Sequence, residues 1–128
     1  MNSLSEVQQK AVTHRDGPML VLAGPGSGKT MVLTRRVQYL TEICHIPPGG
    51  ILVITFTKAA AREMKERYLR LTNSGGTAVS FGTFHAVFFQ ILKLAYGYGA
   101  DNILREEQKY QFLREAVYKQ KLEPDDEA

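Results

Sequence analysis

Eight residues, AGPGSGKT from Ala23 to Thr30, constrain this chain more than any other stretch. Glycines at 24, 26 and 28 let the backbone curl so that successive N–H groups face one concavity. A lysine and a hydroxyl residue follow at once. The pattern [AG]-x4-G-K-[ST] works only where a buried strand delivers the chain to the loop and a helix leads it away. Both flanks fit. Met19–Ala23 is a short, continuously apolar run, which predicts a strand buried on both faces. From Lys29 to about Cys44, Leu33, Val37, Leu40 and Cys44 recur at helical spacing. The helix N-terminus adds positive potential where the loop opens. Ala23, Gly24, Pro25, Gly26, Ser27, Gly28, Lys29 and Thr30 are therefore the predicted cradle for a nucleoside triphosphate. Lys29 is placed to reach the β- and γ-phosphates and Thr30 to hold Mg²⁺ through its hydroxyl. The alternative, a glycine-rich turn with an exposed lysine, leaves the flanking strand and helix without a purpose. Kinases, GTPases, transport ATPases and motors all use such a loop, so it sets the ligand class and not the reaction.

The rest of the chain repeats the same alternation. Ser5–His14 reads as a short helix with Ser5 as its N-cap, broken by Gly17-Pro18. Pro47-Pro48-Gly49-Gly50 ends the helix behind the loop. Ile51–Phe56 is a second apolar, β-rich run, and Thr57 is placed to cap the helix after it, with Ala61, Met64, Tyr68 and Leu71 on one face. Asn73–Gly76 is a loop and Ala78–Phe81 a third short strand. Thr83 to about Tyr96 carries Phe84, Val87, Phe88, Ile91, Leu92 and Ala95 on one stripe. A last helix is predicted over Arg105–Lys121, followed by the acidic end EPDDEA. Strand–helix units in series predict an α/β fold: a parallel sheet covered by helices on both faces.

Composition adds charge to this picture. Residues 1–100 hold 11 Lys and Arg against 5 Asp and Glu, whereas residues 101–128 hold 5 against 8. The first hundred residues suit an anionic partner and the tail does not. The densest basic segment, Lys58, Arg62, Lys65, Arg67 and Arg70, is diluted by Glu63 and Glu66 and reads first as a solvated helix face with paired charges. One cysteine, Cys44, leaves no internal disulfide framework and fits a reducing, cytoplasmic setting; its place on an apolar face makes it a small buried hydrophobe. The apolar runs are far shorter than a membrane span, so no membrane partner is expected. His14 and His45 have no metal-type partners in sequence and read as structural.

Three further stretches carry a family resemblance. LSEVQQKAV (Leu4–Val12), ILVITFTKAAAREMKER (Ile51–Arg67) and FGTFHA (Phe81–Ala86) surround the phosphate loop in the order found in the UvrD/Rep/PcrA family of superfamily 1 DNA helicases. The chain resembles the N-terminal part of that family's first RecA-like, ATP-binding domain, from residue 4 to about 95. The resemblance implies a P-loop NTPase sheet, incomplete in this chain, with residues 1–100 in the ATP-binding domain and 101–128 opening a helical accessory insertion. It implies that Gln8 reads the adenine base, a task an amide can perform against the amino group and a ring nitrogen. Arg36 matches a basic residue behind the loop. Phe56, Thr57 and Lys58, with Thr83, Phe84 and His85, match contacts to single-stranded DNA, where a phenylalanine can stack on a base. Each has a plainer reading: Phe56 and Phe84 as core, Thr83 as an N-cap, Gln8 as an exposed helix residue. For Phe84, on the apolar stripe, core is the favoured one. Lys58-Ala59 stands where the family has Asn-Lys, and Met31 where it commonly has Arg.

The implied parent is an ATP-dependent 3′–5′ helicase that walks on single-stranded DNA, works at single-strand/duplex junctions and uses the remainder of the helicase chain, including a second RecA-like domain. PDDEA (Pro124–Ala128) has acids but no apolar strand before it, so it is not the acidic motif that orients water for hydrolysis. Almost no turnover is therefore expected of residues 1–128 alone. Two rival readings remain on sequence alone: a nucleotide-regulated DNA-binding module without turnover, and a small P-loop phosphotransferase, for which neither a lid nor an acceptor pocket is recognisable.

Overall fold

The computed structural model describes residues 4–120. Its elements are helix α1 (Glu6–Thr13), helix α2 (Lys29–Gln38), strand β1 (Leu52–Thr55), helix α3 (Lys58–Leu71), strand β2 (Ser80–Thr83), helix α4 (Phe84–Tyr96) and helix α5 (Glu106–Gln120). The chain divides into two compact units, Met1–Phe88 and Phe89–Ala128.

Local chemistry sets the helix starts. Ser5 opens α1 with a reciprocal capping box: its hydroxyl accepts from the Gln8 amide, and the Gln8 side chain accepts from the Ser5 amide. Thr57 caps α3 by accepting from the Ala60 N–H at 3.1 Å. Such caps each stabilise by about 1 kcal/mol. Beyond Gln38, α2 widens into a turn over Tyr39–Ile43, in which the Cys44 N–H reaches back five residues to the Tyr39 carbonyl. Cys44, expected to be buried, sits half-buried at the end of that turn.

The two strands pair in parallel, Leu52 opposite Ser80 and Thr55 opposite Thr83. A parallel pair needs a crossover helix, and α3 is that helix. It packs on both strands and on α2. The core lies between them. Val37 of α2, Tyr68 of α3 and Val79 are buried, with Ile51, Val53 and Phe81 packed around them, and Ala61 and Met64 extend the buried face of α3. Burying side chains of this size contributes about 1.5–3 kcal/mol each, which makes this layer the stabilising centre of the first unit. α1 packs on α2.

Two expectations fail. Met19–Ala23 forms no strand, and its apolar side chains are exposed, Leu20 by 85% and Leu22 by 88%. A strand buried on both faces needs a hydrogen-bonded neighbour, and among the described residues the two strands that exist use each other. The stripe of α4 is likewise not covered: no residue of that helix is buried, and Phe88 is 58% exposed. Phe84, favoured as core, is 43% exposed. The third predicted strand appears two residues later than expected, over Ser80–Thr83, and α4 begins at Phe84. In the second unit, α5 also buries none of its residues. The acidic run at Pro124–Ala128 and the last residue of the expected final helix, Lys121, lie outside the described residues.

Candidate functional site

The loop before α2 takes the shape its glycines allow. Gly26 and Gly28 have φ of +72° and +77°, a region open to glycine at little cost. The Ser27 N–H and hydroxyl both turn back to the Gly24 carbonyl, closing the bend. Gly28 is the N-cap of α2, and no side chain caps that helix. Among the described residues, the amides of Gly26, Gly28, Lys29, Thr30 and Met31 donate to nothing. Unpaired N–H groups at a helix start, with the macrodipole behind them, form a receptor for an anion. The Lys29 ammonium lies 3.3 Å from the carbonyls of both Ala23 and Gly24, so it sits over the bend. The Thr30 hydroxyl has no partner among the described residues and is free to ligate. These groups fit a triphosphate with its magnesium ion.

Next to the loop lies a cavity of about 460 Å³, lined by Gln8, Ala23, Gly24, Ser27, Lys29 and Arg36 and by apolar groups from α1, α2 and the 19–22 run. α1 is tied to this cavity at both ends. At its N-terminal end the Gln8 side chain donates from Nε2 to the Ser27 carbonyl at 3.1 Å. At its C-terminal end Arg36 places Nη1 within hydrogen-bonding distance of the carbonyls of Ala11, Val12 and His14, at 3.0, 3.3 and 2.6 Å. These carbonyls are the orphan acceptors of a helix end, and a guanidinium there also meets the negative end of the dipole. Arg36 thus clamps α1 as well as lining the cavity, a task its sequence position did not announce. His14 is held locally, its ring nitrogen 3.0 Å from the Gly17 carbonyl.

A second cluster lies at the C-terminal ends of the two strands. Phe56 follows β1 and is 91% exposed, and its ring meets that of Phe84 with centroids 5.6 Å apart. Thr57 and Thr83 serve as caps, Thr83 accepting from the Ala86 N–H at 3.2 Å. His85 is exposed. Beside them a shallow recess of about 290 Å³ is lined by Lys58, Arg62 and Lys65 of α3 and by Gly82, Thr83 and Ala86. Sequence spacing reads this helix as a solvated face of paired charges. In the structure Glu63 pairs with Arg67 at 2.8 Å, while Lys58, Arg62 and Lys65 have no acidic partner among the described residues. Their spacing of four and three residues was the available signal. Exposed aromatic rings beside unpaired cations can stack a base and neutralise a phosphate.

The sequence model of the UvrD/REP helicase N-terminal domain family matches residues 4–128. The chain belongs to that family. Among UvrD/REP-type relatives, the ATP-dependent DNA helicase PcrA of Bacillus subtilis is 48% identical over 93 residues, which is 73% of this chain and 13% of the relative. The putative ATP-dependent DNA helicase YjcD of the same organism is 40% identical over 126 residues, 94% of this chain and 17% of the relative. PcrA of Staphylococcus aureus is 43% identical over 93 residues, again 73% of this chain and 13% of the relative. The chain therefore spans less than a fifth of the length of these curated relatives. Among the described residues, no helix is long and apolar enough to cross a membrane, and no group of three or more His, Cys, Asp or Glu could hold a metal ion.

Proposed function

We propose that this chain supplies the ATP-binding face and one side of the single-stranded DNA track of an ATP-dependent 3′–5′ DNA helicase, within a RecA-like sheet. The observation that carries the reading is the set of unpaired amides at the loop and the first turn of α2, with the Lys29 ammonium over the bend and the Gln8 carboxamide lining the cavity beside it. The names of the UvrD/REP-type relatives point the same way.

Each group has a distinct task. The loop amides and Lys29 hold the phosphates and balance their charge. Thr30 would hold Mg²⁺, which supplies charge neutralisation between the phosphates. Gln8 reads the base from α1, which Arg36 keeps in place. Phe56 and Phe84 form a two-ring platform on which a base stacks. Lys58, Thr57, Thr83 and His85 lie around it to meet the strand's phosphates and sugars. The loop and the platform both belong to the first compact unit, so a nucleotide and a DNA strand can be held by one unit. In the intact motor, closing two RecA-like domains on ATP and reopening them would step that platform along the strand.

Binding of a fluorescent oligo-dT tests the DNA half of the proposal. Affinity falls as salt rises, and Phe56→Ala weakens it by about tenfold, since one base–aromatic stack is worth about 1–3 kcal/mol. Equal binding by Phe56→Ala and the unaltered chain would remove the platform.

A further inference from the structure

The charges of α3 are sorted around the helix. At about 100° per residue, Lys58, Arg62 and Lys65 fall within one sector of about 60°. The buried face, with Ala61, Met64 and Tyr68, borders that sector on one side. Glu66 borders it on the other, and Glu63, Arg67 and Arg70 lie farther round. The sector itself holds no acid. Lys58, Arg62 and Lys65 are all exposed, and none has an acidic partner among the described residues, although Glu66 stands four residues after Arg62. Glu63 pairs with Arg67 on the far side of the helix instead. Like charges three and four residues apart repel, and a bound anion would relieve the repulsion. Position 59, an alanine here and a lysine in the family's Asn-Lys pair, lies about 100° round from position 58, outside the sector. The lysine at 58 therefore adds a charge to the stripe that one at 59 would not.

The stripe forms one wall of the recess described above, and Gly82, Thr83 and Ala86 form the other. This recess adjoins the ring pair through both walls. Lys58 stands two residues after Phe56, and Thr83 directly precedes Phe84. A shallow recess suits a hydrated phosphate and not an enclosed base.

We propose that Arg62 and Lys65, together with Lys58, form a phosphate-binding recess for the sugar–phosphate backbone of a single strand as it leaves the Phe56–Phe84 platform. The proposal rests on the reading of that ring pair as a base-stacking platform and extends the track along α3. A single strand is the occupant because only an unpaired base can stack on rings that adjoin the recess. Stacking and phosphate contact are both blind to base sequence, so the extended track grips any strand.

The test is the salt dependence of oligo-dT binding by the 128-residue chain. Arg62→Gln combined with Lys65→Gln removes two phosphate contacts. The slope of log K against log salt should fall in magnitude by about 1.4, at about 0.7 per phosphate on a single strand. That is a loss of about 25-fold at about 0.1 M salt, closing towards about 1 M. Arg67→Gln combined with Arg70→Gln removes the same net charge from the far side and should leave the slope unchanged. Arg62→Lys combined with Lys65→Arg keeps both charges and should retain it. Should the glutamine pair unsettle α3, the side-chain NMR signals of Arg62 and Lys65 in the unaltered chain decide: movement on adding oligo-dT supports the recess, and stillness overturns it. Equal slopes for the recess pair and the far-side pair also overturn it and make the stripe a solvated face. An equal loss on a blunt duplex of the same length overturns the assignment to a single strand. Phe56→Ala separates the two levels. If it weakens binding while the glutamine pair keeps the slope, the platform stands and the recess falls; if it leaves binding unchanged, the platform falls and the proposed path with it.

Discussion

Two short apolar runs in the first unit, Met19–Ala23 and Leu52–Thr55, have similar chemistry and different fates. Leu52–Thr55 pairs with Ser80–Thr83, receives α3 across it, and helps to enclose Val37, Tyr68 and Val79. Met19–Ala23 has no strand beside it among the described residues, and its leucines face solvent. The difference is one of partners, not of propensity. A parallel strand is stabilised by ladders and by helices over its faces, and both come from elsewhere in the chain. The loop after Met19–Ala23 nevertheless takes its bent form, because Gly26, Gly28 and the Ser27–Gly24 bonds are local. The paired region is therefore the source of stability, and the loop region carries chemistry on a thin support.

Substitutions can break or sharpen that contrast. Tyr68→Ala removes the ring that packs 5.9 Å from Phe81 and should cost about 3–5 kcal/mol in urea denaturation, enough to unfold a marginal chain. Arg36→Ala should cost about 2 kcal/mol, since it frees three helix-end carbonyls from a charged donor. Its signature is local: hydrogen exchange in α1 accelerates while α3 and the strands stay protected. Thr57→Ala, on the paired side, should cost about 1 kcal/mol through the lost cap of α3. Leu22→Ser, in the unpaired run, should change stability by less than about 0.5 kcal/mol. A large loss for Leu22→Ser would show that Met19–Ala23 is packed in solution and would erase the contrast.

What the sequence disclosed follows the same division. Ser5 and Thr57 were readable as caps because a cap involves only the next three residues. α3 and its buried face followed from Ala61, Met64 and Tyr68 at helical spacing. The glycine loop and its lysine were readable because their geometry is written into consecutive residues. Met19–Ala23 departs from its local pattern because an apolar run favours burial that only distant residues can supply. The stripe on α4 misled for the same reason, and Phe84 turned out to meet Phe56 and solvent instead of a core. Contacts that join distant segments left no local trace. The Gln8–Ser27 bond spans 19 residues and the Arg36–Ala11 bond 25, and both shape the cavity.

The central claim is that the bend at Ala23–Thr30 and the Lys29 ammonium enclose the phosphates of a nucleotide. Titration of the ¹⁵N-labelled chain with magnesium ATP, followed through the amides of Gly26, Gly28, Lys29, Thr30 and Met31, tests it most directly. The account predicts that these five resonances move together and saturate, and that Lys29→Ala weakens the apparent affinity by at least about tenfold, the loss expected of a charged hydrogen-bonding group. Resonances that stay still at saturating nucleotide, or a Lys29→Ala chain that binds as well as the original, would contradict it.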